Sequence, residues 1–287
     1  MSQKEMLAIV GDLMRSISLV QYFPQYETLE EVARDFNVNW TSAVTMLTDD
    51  VYLGSENWNN LFVLRRNARA QSEEVRCRLD TVGEFHFGEM CNKFLSGSLV
   101  MPSTSTNMTK TSINRKRRRN LASPKKMSSK AKPDISSSTR PKRPVVVIGS
   151  QTLFGTVDGT LGVILGLDNA TASFFSCLEK AMEHVIVPIG NFSHQHFRSF
   201  RIEDKCHPCH GFVDGDLVES FLDFDLSTME KVVKQMNKDG SWTISCSKSQ
   251  LQPKNFEDAS IDISDDQRPQ LCVDDVLAVI EEMTMLH

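Results

Sequence analysis

The sequence predicts a β-then-α chain, with antiparallel sheets over residues 7–100 and a helical region from 169 to the end. Two observations carry this. The segments "LEEVARDF", "SAVTMLTDD", "NLFVLRRNA" and "VGEFHFGEM" recur between turn-rich pieces at fairly regular intervals, as strands of antiparallel sheets do. From residue 169 the apolar spacing becomes that of amphipathic helices, with Phe174, Leu178, Ala181 and Val185 on one face. A third observation divides the two parts: residues 102–144 are rich in Ser, Thr, Lys, Arg and Pro and nearly free of large apolar side chains.

The elements follow in order. "EFHFGE" alternates apolar and polar residues as a half-buried strand should. Residues 102–144 cannot bury enough surface to offset their ordering entropy and read as a disordered basic insertion. "PVVVIGSQTLFGTVDGTLGVILGLD" (residues 144–168) returns to β as a strand and then a hairpin. Asp158-Gly159 marks its turn, with type I′ geometry expected. The helix of "NATASFFSCLEKAMEHVIV" is stopped by Pro188. In "VDGDLVESFLD" the turn is set at Asp214-Gly215, with Asp216 as N-cap and Glu219 completing a capping box. Ser227 and Glu230 repeat the device in "STMEKVVKQM". Residues 239–270 read as a polar loop. Finally Val273, Val276, Leu277, Ile280 and Met283 form one helical stripe, with Asp274 and Asp275 at the positive end of the dipole.

The charge is unevenly distributed. Residues 102–144 hold 13 of the 32 basic residues and one of the 37 acidic residues. The body of the chain is therefore strongly acidic and the insertion strongly basic. Within it, "NRKRRRNLASPKK" presents two clusters, Arg115, Lys116, Arg117, Arg118 and Arg119, then Lys125 and Lys126. Such a pair reads as a nuclear-import signal, and non-specific phosphate binding is the alternative. The start of the chain carries Glu5 and Asp12 and lacks the apolar core of a secretory signal. No run approaches the roughly 18 apolar residues a membrane span needs, so no membrane partner is expected. Seven scattered cysteines read as reduced thiols of the cytosol or nucleus.

One motif invites a cofactor. Cys206, Cys209 and His210 spell the spacing of c-type haem attachment, and His207 adds a possible zinc ligand. Zinc, however, needs four ligands that converge, usually as two spaced pairs, and there is no second Cys-x-x-Cys. Haem attachment needs export and a separate axial ligand. The expectation is therefore a solvated loop, with no metal and no cofactor. "VDGDL" lacks the further oxygens of a calcium loop. No phosphate-binding glycine loop or nucleophile elbow occurs, no catalytic residues are assigned, and no enzyme is expected.

Three segments taken together carry a resemblance: "VGDLMRSISLVQYFP…EEVARDFNVNWTSAVTMLTDDVYLGSENWNNLFV", "FGTVDGTLGVI" and "HFRSFRIEDK…GFVDGDLVESFLD". They resemble the C-terminal region of the DNA damage-binding adaptor of cullin-4 ubiquitin ligases. "DGDL" is shared more widely with the large subunit of the cleavage and polyadenylation specificity factor. The resemblance implies a partial β-propeller, its last blades, followed by a small α-helical C-terminal domain. On that reading residues 1–101 are blades, 102–144 the insertion, 145–168 the final propeller strands and 169–287 the helical domain, with a loop at 239–270. It further implies a nuclear (and also cytoplasmic) non-catalytic scaffold in DNA repair and protein ubiquitination. An RNA-processing or nucleic-acid-binding relative is the alternative, and nucleic acid stays a candidate partner.

Family members dock a helix of a substrate receptor in a groove. Carried over by position, Leu13, Arg15, Arg34, Trp40, Met90, Asn92, Lys93 and Val157 match one side of it. Leu13, Trp40 and Met90 would be apolar anchors, and Arg15 and Arg34 would grip carboxylates or helix-end carbonyls. Core packing is the alternative for Leu13 and Met90, and blade packing for Trp40. Met90 and Lys93 depart from the apolar residues usual in the family. The implied partners are substrate receptors and a nuclear import receptor. The propeller that binds cullin in the family has no counterpart here, so direct cullin contact is not expected.

Overall fold

The computed structural model describes residues 6–100, 148–203, 205–242 and 270–285. The basic insertion at 102–144, with both clusters of the import signal, lies outside these residues, as does most of the loop expected at 239–270.

β1 (Met6–Asp12), β2 (Ser16–Phe23) and β3 (Thr28–Arg34) form the first antiparallel sheet. β4 (Thr41–Met46), β5 (Val51–Glu56), β6 (Asn60–Arg66) and β7 (Leu79–His86) form the second, in sequence order. A short helix, α1 (Glu73–Arg76), interrupts the β6–β7 connection and had no sequence signal of its own. β8 (Cys91–Ser96), β9 (Ile148–Thr156) and β10 (Leu161–Leu167) form the third sheet in the order β10-β9-β8, so its central strand and one edge strand lie beyond the insertion. The three sheets stack face to face. Ile17 and Leu19 of the first meet Tyr52, Phe62, Leu64 and Leu79 of the second. On the opposite face of the second sheet, Leu53, Leu61 and Phe85 meet Cys91, Phe94 and Phe154 of the third. This explains the unbroken apolar runs "VYL" in β5 and "LFVL" in β6: in a strand covered on both faces, period 2 sends neighbours to opposite cores.

The helical region follows as α2 (Asn169–Val185), α3 (His194–Phe197), a short hairpin of β11 (Phe200–Ile202) and β12 (Lys205–His207), α4 (Gly215–Ser220), α5 (Leu226–Asp239) and α6 (Val273–Thr284). Its core joins Phe174, Leu178, Val218, Phe221, Val232 and Ile280, with Leu165 and Leu167 of β10 packed against it. The chain is thus a partial β-propeller of antiparallel sheets followed by helices, and among the described residues the sheets do not close into a ring.

Several local expectations are corrected. α4 is capped by Asp214, whose Oδ1 accepts from the backbone N–H of Asp216 and Leu217, so Asp216 lies inside the helix. α5 is capped by Asp225 through Thr228 N–H, and Ser227 lies inside. Both segments offer a choice of short polar residues two apart, and the earlier aspartate took each cap. The 148–167 segment is a single two-stranded hairpin, β9 and β10, rather than a strand followed by a hairpin. Its turn closes over Val157–Gly159 between Thr156 and Thr160, and only Gly159 has positive φ (+97°). That is a three-residue loop with glycine in its last position, not type I′. Residues 205–210 are not a free loop: β12 pairs with β11, and His210 exchanges both backbone hydrogen bonds with Glu84 of β7.

Candidate partner-binding face

The strand registers bring one end of all three sheets together. β1 ends where β2 begins, and β3 ends opposite Ser18. The start of β4 lies opposite Glu56, then Asn60 and His86 at the same level across the second sheet. β8 starts opposite Thr156, where β9 ends. The connections 35–40 and 87–90 and the hairpin turns at 13–15, 57–59 and 157–160 therefore share one rim. Hydrogen bonds join these loops: Asn57 N–H donates to Trp40 O (3.0 Å), Phe87 N–H to Asn59 O (2.9 Å) and Val157 N–H to Met90 O (2.9 Å).

All eight residues carried over from the resemblance lie on this rim. Leu13 is 56 % exposed, Trp40 46 % and Val157 60 %, so none of the three is a core residue. Arg15, Asn92 and Lys93 are exposed and Met90 is half-buried. Arg34 is engaged already: its Nε and Nη2 donate to both carboxylate oxygens of Glu31, at 2.6 and 2.9 Å. Between Gly11, the start of β4 and Asn92–Phe94 lies a pocket of about 230 Å³.

The rim is held from beneath by two buried carboxylates. Asp35 is 2 % exposed. It accepts from Ser16 Oγ (2.6 Å), from Asn37 N–H and Nδ2 (both 3.0 Å) and from Asn39 Nδ2 (3.2 Å). Burial pushes its carboxyl up, against these donors. This explains "RDFNVNW": Asp35, Asn37 and Asn39 fold the connection that delivers Trp40 to the surface. Glu56, fully buried, accepts from Trp58 N–H (3.0 Å), Asn60 N–H (3.2 Å) and Asn60 Nδ2. Asn60 in turn donates to Arg201 O (2.7 Å) and accepts from His86 Nδ1 (2.8 Å), which ties the rim to β11. Burial pushes Glu56 up to about 7, while its donors favour the ionised form. His86 is pushed down by burial and by Arg201 and Arg198.

Arg198 makes the second joint. Its guanidinium sits 4.8 Å from the ring centroids of Phe85 and Phe197. Its Nε donates to Asp214 Oδ2 (2.6 Å) and its Nη1 to Phe87 O (3.1 Å). His194 Nε2 donates to the same carboxylate oxygen (2.7 Å). Burial alone would raise Asp214, but His194 and Arg198 outweigh it and hold the carboxyl down at about 2. "DGDL" is thus a cap for α4 and an anchor for the blade–helix joint at once. At the Cys206–His210 motif, Cys206 is exposed, while burial pushes the Cys209 thiol up to about 12. Among the described residues no group of three His, Cys, Asp or Glu has metal-holding geometry. No described helix is long and apolar enough to cross a membrane.

Sequence reasoning missed Trp58, 45 % exposed on the same rim. Its signal was an aromatic residue in the polar turn "SENWNN", where no strand period asks for burial.

Stacked four- and three-stranded antiparallel sheets joined to a helical core define a propeller-type fold, in which loops at one end of the blades make a common surface. The chain belongs to the CPSF A subunit region family, whose model matches residues 1–223. It is 37 % identical over 228 residues to DNA damage-binding protein 1 of Oryza sativa subsp. japonica, covering 79 % of this chain and 17 % of that protein. It is 38 % identical over 229 residues to DNA damage-binding protein 1a of Arabidopsis thaliana, covering 80 % of this chain and 18 % of the relative. The match with DNA damage-binding protein 1 of Solanum lycopersicum is alike, at 38 % identity over 229 residues. The chain thus spans less than a fifth of the length of the relatives it matches.

Proposed function

We propose that this chain is a non-catalytic adaptor module whose rim binds substrate-receptor proteins of cullin-4 ubiquitin ligases in DNA repair. One observation carries the reading: in a chain of this family, the eight residues matched to a receptor groove share one rim, with Leu13, Trp40 and Val157 exposed on it. An apolar surface flanked by Arg15 and Lys93 suits a helix laid in a groove, with aromatic anchors giving most of the affinity. The test is co-precipitation from cells. Receptors should be recovered with the wild-type chain and lost with Trp40→Ala combined with Arg15→Glu. Equal recovery with the variant would refute the reading, and direct binding of purified cullin-4 without any receptor would contradict the expectation that the cullin-binding propeller has no counterpart here.

The clusters Arg115–Arg119 and Lys125–Lys126 support nuclear entry through an import receptor. They also favour a second reading, nucleic-acid contact through the same charge. Replacing Arg115–Arg119 with Ala separates the two. Loss of nuclear fluorescence with unchanged nucleic-acid affinity leaves the import role alone, and loss of affinity with retained nuclear entry leaves the binding role alone.

A further inference from the structure

The chain has three tryptophans. Trp242 is 2 % exposed, whereas Trp40 and Trp58 are 46 % and 45 % exposed. The two exposed indoles stand on neighbouring backbone, because Asn57 N–H, next to Trp58, donates to Trp40 O (3.0 Å). Neither stands on a loose loop. Beneath Trp40 lies the Asp35 network. Trp58 is fixed by Glu56 Oε2 on its N–H, by Asn59 N–H to Glu56 O (3.1 Å) and by Asn59 Nδ2 to Gly88 O (3.2 Å). Asn59 itself holds φ +64°, a left-handed conformation that asparagine tolerates.

The charge on this rim is unevenly engaged. Most of its carboxylates are taken up internally, Glu31 by Arg34, Asp12 by the N–H groups of Met14 and Arg15, Glu56 by Trp58 and Asn60, and Glu89 by Thr156 Oγ1, while Asp158 is exposed in the hairpin turn. Arg15 and Lys93 project from it as exposed cations. Beside the two indoles, the surface offered outward is therefore aromatic, with Arg15 and Lys93 as its exposed cations.

We propose that Trp58 and Trp40 form one anchor pair, and that the occupant is an amphipathic partner helix whose apolar face covers both indoles and whose carboxylates meet Arg15 and Lys93. This rests on the receptor-binding reading and adds to it a residue and the chemistry of the bound helix. Rigid tryptophans suit the role because little side-chain or loop entropy remains to be lost on binding.

The experiment uses the full chain carrying Trp40→Phe, so that Trp58 and the buried Trp242 are its only indoles. The probe is a synthetic peptide of a cullin-4 receptor's docking helix, with Phe in place of any Trp. Its binding should shift emission to the blue and shield Trp58 from acrylamide. In the otherwise wild-type chain, Trp58→Ala should weaken binding about tenfold, Trp58→Phe less, and a peptide with its acids changed to Lys should lose binding. Binding that leaves acrylamide quenching unchanged, with full affinity for Trp58→Ala, overturns the anchor pair and leaves the receptor reading standing. Equal binding of the charge-reversed peptide overturns the assigned chemistry of the occupant. A peptide that fails to bind the wild-type chain defeats both.

Discussion

Glu56 illustrates how a single buried carboxyl sets conditions for a surface. Three donors point at it, yet burial pushes it from its ordinary 4.5 to about 7. The folded protein thus holds this proton more tightly than the unfolded chain does. Its contribution is fully present below about 4.5 and is lost as pH rises through about 7, an effect of about 3 kcal/mol. Urea unfolding at about pH 5 and about pH 8 should show that loss, and Glu56→Gln should flatten it in this window. An unchanged slope in the variant would assign the pH dependence elsewhere. Gly211 makes a second residue-scale case. Its φ is +72°, and a Cβ there would meet Val82 O at 2.3 Å and Gly83 Cα at 2.6 Å. Gly211→Ala should therefore cost more than about 1 kcal/mol in the same unfolding assay, and a neutral result would contradict that close approach.

At the scale of elements, Asp214 joins what the sequence lays far apart. It caps α4, receives Arg198 and His194, and through Arg198 reaches the carbonyl of Phe87 after β7. Asp214→Asn should cost about 3–5 kcal/mol, because it leaves a buried guanidinium without its counter-charge. The acid limb follows from the same pairing. The carboxyl is lowered from 3.8 to about 2, so its contribution is present above 3.8 and lost as pH falls through about 2. Calorimetry of the variant should show a lower melting temperature and a weaker acid transition, and coincident acid limbs would remove the ion pair from the account. The strands of "LEEVARDF", "SAVTMLTDD", "NLFVLRRNA" and "VGEFHFGEM" were legible, the last through the alternation of "EFHFGE", of which β7 takes the part up to His86. "VYLGSE", covered on both faces, has no alternation to read and is not among the segments singled out as strands. The caps were legible only to within two residues, since Asp214 competes with Asp216 and Asp225 with Ser227 for the same donors. The joint was not legible at all. Asn60 and Arg201 are 141 positions apart, and no local pattern reports that pairing. On the rim, residues known by resemblance were placed together by register, while Trp58 needed the structure to show which face its turn occupies.

On the scale of the whole molecule, the same stacking that buries the second sheet on both faces leaves the first sheet, among the described residues, covered on one. Opposite Ile17 and Leu19, the register puts Met6, Ala8 and Val10 of β1 beside Tyr22, Val20 and Ser18 of β2, with Leu29 of β3 next to Tyr22. Met6 is 58 % exposed, Val10 48 % and Leu29 68 %. A sheet face with this apolar row of Met6, Tyr22 and Leu29, bordered by Ser18, Glu31 and Arg34, favours association, with another sheet as the natural cover. The chain expressed as these residues alone should therefore self-associate in a concentration-dependent way. Light scattering after size exclusion should detect it, and Val10→Lys with Leu29→Glu should shift the population to monomer. These side chains lie outside the cores, so the double variant should melt within a few degrees of the wild type, and the rim on the adjoining end should keep its partner affinity. A wild-type chain that is monomeric and melts cooperatively at high concentration would show that the uncovered face is tolerated. In that case the three-sheet stack would be self-sufficient, with enough buried area between its sheets and in the joint at Asp214 to stand without a further blade.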